Sequence, residues 1–404
     1  MNYHNVTRRP VILLAAVFCV FLFLLPVANA DEIRRGAVLQ FYNEGDSSAD
    51  WIGAVLVDSL STKLGSIKGL AVVDSNRLTR VLSELYMLSA DLRIEENILK
   101  IKERLGVDMI VVGSYKNLPG KIEISVELVS SEKDKLVRKK RNSTIQEPLT
   151  SLTSYIGKEI LELMNVKSSD TSYLQKKATD NLNALESYGK GLIFKKNEKT
   201  YDKAIESFIE ASKIDPEFAA PHYQLGCLFV ITEMLNPGIK EYLKATRLDP
   251  EYAEAYNNLG VVYSQLGRTS QALEVYKKAV AKNYGLADAH CNLGKLLDSM
   301  EQYEEAIKEY KIATELSPKD AVIHNNLAVA YLNQGKKAEA EKSYLAAIAI
   351  NPDLKEAHLG LGLIYDNDAK KEKAVLHYER YISLDGQEQE IIKRLEELKK
   401  SKKE

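Results

Sequence analysis

The stretch that decides the fold is AEAYNNLGVVYSQLGRTSQALEVYKKAVAKNYGL, residues 253–286. Its pattern returns over residues 287–320, so that the same residue types stand at the same places of both frames. The identical pairs include Leu259 with Leu293, Gly260 with Gly294, and Tyr276 with Tyr310. Self-similarity at this period is typical of stacked helical hairpins, each of which buries its apolar face against the next.

Six such frames run from residue 184 to residue 388, and their shared columns explain how two helices pack. The frames begin at Ala184, Ala219, Ala253, Ala287, Ala321 and Lys355. Column 8 holds a small residue: Gly191, Gly226, Gly260, Gly294, Ala328 and Gly362. Column 24 holds an aromatic residue: Phe208, Tyr242, Tyr276, Tyr310, Tyr344 and Tyr378. A small residue lets two antiparallel helices approach closely, and the aromatic ring fills the space beside that contact.

These residues resemble the tetratricopeptide repeat (TPR) family over about half of the chain. The resemblance implies an all-α solenoid, a right-handed superhelix of hairpins whose first helices line a concave groove. In that family the groove holds an extended peptide or a partner helix, so a protein or peptide partner is expected here. Glu254 and Asp288, in column 2, are expected on the wall of this groove. The charged helical pattern of residues 389–404 predicts a C-terminal capping helix and tail.

Asparagines dominate the columns that the resemblance places on the groove. Asn258, Asn292 and Asn326 share column 6 of three successive frames, and Asn257 and Asn325 precede two of them. An asparagine carries a donor and an acceptor, so a ladder of them can bond a peptide backbone whatever its side chains. These five residues are the predicted peptide-binding site, similar to the asparagine ladder of O-linked N-acetylglucosamine transferases, whose catalytic domain is not present. The alternative is that asparagine is simply frequent in this column; under the binding hypothesis, alanine at the three column-6 positions weakens binding without changing melting.

The histidines and cysteines of the repeats are predicted to pack rather than to bind metal. Column 4 holds His222, His290, His324 and His358. Equivalent residues of neighbouring repeats lie roughly 10 Å apart, too far to share a metal ion with bonds near 2 Å. Cys227 and Cys291 have a whole repeat between them, beyond the Cα separation of about 7 Å that a disulfide allows. No metal and no other cofactor is therefore predicted.

Residues 31–165 have the pattern of an α/β domain. Strands are predicted at Ala37–Phe41, Leu70–Val73, Val107–Ser114, Glu123–Leu128 and from Leu136 onward, and helices at Ser48–Leu64, Ser75–Leu88, Ile94–Leu105 and Leu149–Leu163. Ser75 is the predicted N-cap of its helix, and Pro119 with Gly120 predicts a tight turn. The expected fold is an α/β sandwich with a β-meander in its second half.

This domain resembles the TolB N-terminal/CsgG/FlgO group of bacterial envelope domains over about 130 residues. The residues that carry the resemblance are the opening RRGAVLQFYNEGDSSADWIGAVLVDSLSTKL, the run LAVVDSNRL, and LGVDMIVVGSYKNLPGKIEISVELVSSEKDKLV. The resemblance implies a location in the cell envelope and contact with other proteins, an envelope complex among them. It implies no catalytic activity.

The first thirty residues read as a signal peptide. Arg8 and Arg9 precede an apolar run, Pro26 ends it, and Ala28 and Ala30 stand at the two positions that a signal peptidase reads. A periplasmic or otherwise exported protein without a membrane span is therefore expected after cleavage. The alternative is an uncleaved inner-membrane anchor, since the apolar run approaches the roughly 17–20 residues that span a bilayer.

Between the two domains, residues 166–183 are small and polar. Such a composition predicts a linker that leaves the domains some freedom relative to each other.

Composition and motifs exclude several other classes of function. The formal net charge of −2 gives no bulk attraction to nucleic acid. The basic run 138–141 lies in a predicted strand, whose alternation divides it between two faces, so a solvated strand edge is expected. Gly113 to Lys121 is no phosphate loop, because six residues separate its two glycines and Ile122 follows the lysine. Without HExxH, GxSxG or CxxC either, the chain is not expected to be an enzyme.

The sequence thus predicts an exported scaffold that binds a protein segment in its groove and docks on an envelope assembly through residues 31–165. The alternative is a structural subunit of an outer-membrane secretion or motility complex, in which residues 31–165 form the contacts between copies and the repeats act as a spacer.

Overall fold

The computed structural model describes residues 33–87, 94–132, 135–146, 148–164, 166, 172–176 and 178–400. The predicted signal peptide, residues 1–30, lies outside this range. Within it, no helix combines the length and the apolar character needed to cross a bilayer.

Five strands form one mixed sheet in the order β2-β1-β3-β4-β5. They are β1 (Arg34–Asn43), β2 (Leu70–Val72), β3 (Met109–Leu118), β4 (Lys121–Glu132) and β5 (Lys135–Ile145). Strands β2 and β3 run parallel to β1, whereas β3, β4 and β5 pair antiparallel in sequence order. The turn from β3 to β4 contains Gly120, whose φ of +76° favours glycine. The region thus contains a small mixed sheet with helices, consistent with the predicted α/β domain, and β3, β4 and β5 form a meander in its second half.

Helices cover both faces of the sheet. They are α1 (Asp50–Gly65), α2 (Ser75–Glu84), α3 (Glu95–Leu105) and α4 (Leu152–Leu163). Val38 of β1 belongs to the core formed with α1 and α4, while the next residue, Leu39, belongs to the core formed with α2 and α3. Alternate side chains of a strand point to opposite faces, so β1 is apolar on both sides. Ser75 begins α2 rather than capping it: the carboxylate of Asp74 accepts the Arg77 backbone N–H at 3.0 Å.

The C-terminal region consists of six helical hairpins and a final helix, preceded by the short α5 (Ser172–Gln175). The hairpins are α6 (Leu182–Phe194) with α7 (Tyr201–Ile214), α8 (Ala219–Ile231) with α9 (Leu235–Leu248), α10 (Ala253–Gln265) with α11 (Thr269–Lys282), α12 (Ala287–Ser299) with α13 (Tyr303–Leu316), α14 (Ala321–Asn333) with α15 (Lys337–Ile350), and α16 (Lys355–Asn367) with α17 (Lys371–Ser383). The last helix is α18 (Gln389–Lys400).

The small residue of column 8 is required by close packing inside each hairpin. A Cβ atom on Gly260 would lie 2.6 Å from Cε1 of Tyr276, the column-24 ring of the same repeat. Tyr276 is 3% exposed, so the ring has no room to move away. The array ends in α18, which buries Leu395 and Leu398 and shows solvent a charged outer face. Covering the last apolar face in this way is what a terminal cap does.

The α/β domain and the repeats share one core, contrary to the expected freedom between domains. Trp51 of α1 packs on α6, where a Cβ atom on Gly189 would lie 2.8 Å from the Trp51 carbonyl oxygen. Leu174 of α5 is fully buried and packs on Gly157 of α4, where an added Cβ would lie 2.4 Å from Leu174 Cδ1. The described part of residues 166–183 is therefore packed against both regions. The polar composition of residues 166–183 does not indicate that Leu174 is buried.

The turn between the two helices of a hairpin needs a left-handed backbone. Gly267 and Gly335 supply it with φ of +69° and +80°, but Ala369 adopts φ of +54° at the equivalent position. A residue with a Cβ atom pays about 1–2 kcal/mol there. We therefore expect Ala369→Gly to raise the free energy of unfolding by about 1 kcal/mol in urea denaturation.

The control for this substitution is Ala338→Gly at an exposed helical position of α15. There the backbone is helical, and glycine should lower the free energy of unfolding by up to about 1 kcal/mol. Equal effects of the two substitutions would contradict the argument from backbone strain.

Candidate functional site

The predicted amides lie on the first helices of repeats 3 to 5. Asn257 and Asn325, in column 5, are buried at 7% and 9% exposure. Asn258, Asn292 and Asn326, in column 6, are half-buried. The column-6 side chains are therefore the ones that a partner can reach, with the column-5 amides beneath them.

The column-6 amides are also bonded to neighbouring repeats. Asn258 Nδ2 donates to Tyr223 Oη at 3.3 Å and to Cys227 Sγ at 3.6 Å, Asn292 Nδ2 donates to Asn257 Oδ1 at 3.0 Å, and Asn326 Nδ2 donates to Cys291 Sγ at 3.6 Å. N–H groups of each amide thus serve the stacking of the repeats. Oδ1 of Asn258 also accepts from Asn257 Nδ2 at 3.2 Å, so the unused lone pairs of the three Oδ1 atoms are what remains for a partner. The expectation that alanine here leaves melting unchanged therefore does not hold, since each substitution removes a bond between repeats.

The α/β domain covers a column-5 side chain of repeat 1 and a column-6 side chain of repeat 2, on the first helices of these repeats. Asp58 of α1 accepts hydrogen bonds from Tyr188 Oη at 2.6 Å and from Gln224 Nε2 at 3.0 Å. Tyr188 and Gln224 stand in columns 5 and 6, the columns assigned to the groove. Burial raises the pKa of the Asp58 carboxyl, and the bond from Tyr188 opposes that rise. The open surface therefore begins at repeat 3.

A charged junction joins α2 to the starts of repeats 4 and 5. Asp320, the N-cap of α14, lies 3.1 Å from Arg80 and 4.0 Å from Arg77. Asp288, at the start of α12, is half-buried and lies close enough to Arg77, Arg80 and Asp320 to interact with their charges. Burial raises the pKa of Asp288 to about 7. The carboxylates of Asp74 and Asp320 also raise this pKa, whereas Arg77 and Arg80 lower it.

Glu254 and Asp288 were expected on the wall of the groove, and the structure places them beside the α/β domain instead. Burial raises the pKa of Glu254 to about 7, with smaller contributions from the carboxylates of Asp58, Asp74 and Asp249. Two carboxyl groups in a junction between domains make its stability depend on pH.

Three of the four column-4 histidines fasten the turn that precedes their own helix. In His290, His324 and His358, the Nε2 atom lies 3.1 Å from the carbonyl oxygen of the residue six positions earlier in the chain. This contact places a proton on Nε2. Nδ1 of His290 in turn lies 2.6 Å from the Glu309 carboxylate, which joins the two helices of that repeat. Over the described residues no three potential ligands come together as a metal site.

A cavity of about 440 Å³ lies between α1, the segment around α5, and the turns that precede α8 and α10. Its polar side chains bond to one another: Tyr173 Oη donates to Asp249 at 2.7 Å, and Lys176 pairs with the same carboxylate at 2.9 Å. Cys227 and Cys291 are free thiols. The open first-helix surface of repeats 3 to 6 is consequently the candidate functional site.

Comparison with known families agrees with this architecture. Family models described as "TPR repeat" match residues 238–267 and 299–335, and models described as "tetratricopeptide repeat" match residues 253–283, 321–354 and 355–388. The C-terminal region contains tetratricopeptide repeats. Repeats of this family are modules for contact between proteins, and the six TPR hairpins described above form their solenoid.

Several solved structures are similar to part of this chain. YrrB, described as a TPR protein with an unusual peptide-binding site, is 24% identical and has a TM-score of 0.42, over 47% of this chain and 98% of that chain. PilW, described as a type IV pilus biogenesis factor, is 17% identical and has a TM-score of 0.47, over 53% and 99%. Pseudomonas aeruginosa pilF is 23% identical, with a TM-score of 0.43, over 46% and 86%. No curated protein matches the chain.

The junction at Asp288 predicts a pH dependence of stability. A carboxyl whose pKa is raised on folding, here from 3.8 to about 7, stabilises the protein fully only below the lower value, and this contribution is lost as the pH rises to about 7. We expect Asp288→Asn to raise the free energy of unfolding by about 1–2 kcal/mol more at pH 8 than at pH 5.5. Urea denaturation at both pH values measures this.

The matched control is Asp202→Asn, which changes an exposed carboxylate of α7 in the same way. Its effect should be small and equal at both pH values. A stabilisation by Asp288→Asn that is the same at pH 5.5 and pH 8 would show that the carboxyl does not titrate in the junction.

Proposed function

We propose that this chain is an exported, non-enzymatic scaffold that binds a segment of another protein in its TPR groove and docks on a cell-envelope assembly through the α/β domain. The observation that carries the proposal is the open first-helix surface of repeats 3 to 6. Half-buried amides lie along it, and aliphatic side chains such as Val322 and Leu363 are 43% and 42% exposed. Apolar groups kept exposed between polar ones are typical of a surface for protein contact.

In this proposal Asn258, Asn292 and Asn326 contact the bound segment. Their Nδ2 groups bond neighbouring repeats, so their Oδ1 atoms accept hydrogen bonds from backbone N–H groups of the partner, Asn258 through the lone pair that Asn257 does not use. Asn257 lies beneath them and holds Asn258 and Asn292 in place through bonds of 3.2 and 3.0 Å. Asn325 is buried at the equivalent position beneath Asn326. An extended segment presents N–H groups at regular spacing, which suits a ladder of acceptors.

The proposed place in the envelope rests on the sequence. Residues 1–30 carry the features of a cleaved signal peptide. The resemblance of residues 31–165 to envelope domains supports docking there rather than in the cytoplasm. Two parts of this domain are not engaged with α6. They are the edge strand β5 and the face of the sheet that α2 and α3 cover.

Site-specific photocrosslinking in the source cell tests the groove. A photoreactive phenylalanine derivative replaces Lys295, Asn333 or Leu363, which are exposed on α12, α14 and α16. We expect each to crosslink to a protein of the envelope fraction, because the side chain stands on the proposed contact surface. Exposed positions tolerate substitution, so folding is not at issue.

Lys277 and Lys308, exposed on the second helices α11 and α13, are the matched positions outside the groove. They should give no such product. Crosslinks of equal yield at both sets of positions, or none at the groove positions, would refute groove binding. Fractionation of the same cells tests the proposed export. Recovery of the chain in the cytosol would refute it.

The second candidate function, a structural subunit that assembles through its α/β domain, is favoured by β5. This strand pairs with β4 on one side and has no partner among the described residues on the other. An exposed strand edge can pair with another copy, although Lys139 and Lys140, both exposed, oppose such pairing. Light scattering of residues 31–404 separates the two: a scaffold gives a monomer, and the subunit gives a ring or another multimer. The whole mature chain is needed, because α1 shares its core with α6.

A further inference from the structure

A regular hydrogen bond joins neighbouring first helices along the TPR array. In each case the column-6 amide donates to the column-5 side chain of the preceding repeat. The bonds are Gln224 Nε2 to Tyr188 Oη at 3.5 Å, Asn258 Nδ2 to Tyr223 Oη at 3.3 Å, Asn292 Nδ2 to Asn257 Oδ1 at 3.0 Å, and Asn326 Nδ2 to Cys291 Sγ at 3.6 Å. The next bond in this series would run from column 6 of repeat 6 to Asn325.

Repeat 6 interrupts the series, because its column-6 residue is Gly360. A Cβ atom there would lie 2.3 Å from Cζ of Tyr344, the aromatic residue of repeat 5. In other repeats this ring lies against a column-8 glycine of its own repeat, but repeat 5 has Ala328 in that column. The ring lies against Gly360 instead and takes the place of the missing amide.

Asn325 is left without a donor as a result. Its Oδ1 atom is buried and has no hydrogen-bond partner among the described residues, and the whole residue is 9% exposed. A buried acceptor without a donor is rare in folded proteins. This one lies where the amide ladder ends, between α14 and α16, a place called the end notch below.

Aliphatic and anionic groups surround the end notch. Val322 on α14 and Leu363 on α16 are more than two-fifths exposed. Glu356 is exposed and forms no ion pair with another described residue. It shares a face of α16 with Gly360 and Leu363, which follow four and seven residues later. Asp366, the other acid of this helix face, is already bonded to Arg394 at 2.8 and 2.9 Å.

We propose that the end notch binds a cationic side chain, an arginine or a lysine, of an extended partner segment that carries an aliphatic residue next to it. The charge of the cation pairs with Glu356. Its N–H groups supply the donor that Gly360 cannot supply, once the Asn325 amide turns its buried Oδ1 atom towards the groove. The aliphatic neighbour covers Val322 and Leu363. This inference rests on the proposed groove function and adds the chemistry of the partner.

Selection from a random dodecapeptide library, displayed on phage, against residues 31–404 tests it. We expect the enriched peptides to share an arginine or lysine beside leucine, isoleucine or valine. In fluorescence anisotropy the best labelled peptide should bind Asn325→Leu and Glu356→Gln about tenfold or more weakly than wild type, because each variant removes a bond to a charged group. Replacing the peptide's basic residue by norleucine should have the same effect.

Melting temperature distinguishes a binding role of Asn325 from a structural one. Asn325→Leu should melt at or above the wild-type temperature, because leucine replaces an acceptor that has no donor. Asn257→Leu is the matched control two repeats earlier. That amide bonds Asn292 at 3.0 Å and Asn258 at 3.2 Å, so the same substitution there should lower the melting temperature.

Two further controls complete the design. Glu372→Gln changes an exposed carboxylate of the second helix α17 and should leave peptide affinity unchanged. Tyr344→Phe removes a hydroxyl of the chain itself that lies near Gly360. A fall in melting temperature in this variant would show that Tyr344 satisfies Asn325, and would overturn the proposal.

The outcomes also separate this inference from the proposed function. Enriched peptides without a common basic residue, or with equal affinity for wild type, Asn325→Leu and Glu356→Gln, overturn the inference alone. The inference alone is also overturned if the photoreactive residue at position 333 gives crosslinks in the groove while the library yields no bound peptide. If neither crosslinks nor bound peptides are obtained, the groove function fails together with the inference.

Discussion

A helical hairpin of this kind cannot bury its apolar face alone, so every other feature of the chain depends on what covers each hairpin. Inside the array the next repeat does so, with Tyr276 seated on Gly260 as an example. At the C-terminus α18 covers the last hairpin with Leu395 and Leu398. At the N-terminus the cover is α1, a helix that also packs on the sheet of the α/β domain. One helix thus covers both the sheet and the first hairpin within a single core.

The double role of α1 decides how much of the TPR surface is left for a partner. Asp58 is bonded to Tyr188 and Gln224, so the chain's own helix occupies the positions that a ligand would use in repeats 1 and 2. The junction between α2 and the start of α14 adds a second contact, through Arg80 and Asp320. What remains open is a shorter groove that begins at repeat 3.

The parts of this structure that are local in sequence could be predicted, and the parts that join distant segments could not. The 34-residue period locates the six hairpins, and apolar alternation locates β1 and the meander. Leu174 is one leucine in a polar stretch, and nothing near it in the sequence indicates that it packs on Gly157. The five groove amides were found as column residues, but their direction of bonding depends on neighbouring repeats. Gly360 reads as an ordinary small residue until Tyr344 is seen against it.

The α/β domain contacts the array along several successive repeats: at Tyr188 in repeat 1, at the turn before α12, where a Cβ atom on Gly285 would lie 2.7 Å from the Leu70 carbonyl oxygen, and at Asp320 at the start of repeat 5. A solenoid held at successive repeats by one neighbouring domain cannot be stretched or wound without breaking those contacts. Repeat 6 and α18 lie beyond the last of them, so a change of curvature at this end of the array breaks none of these contacts.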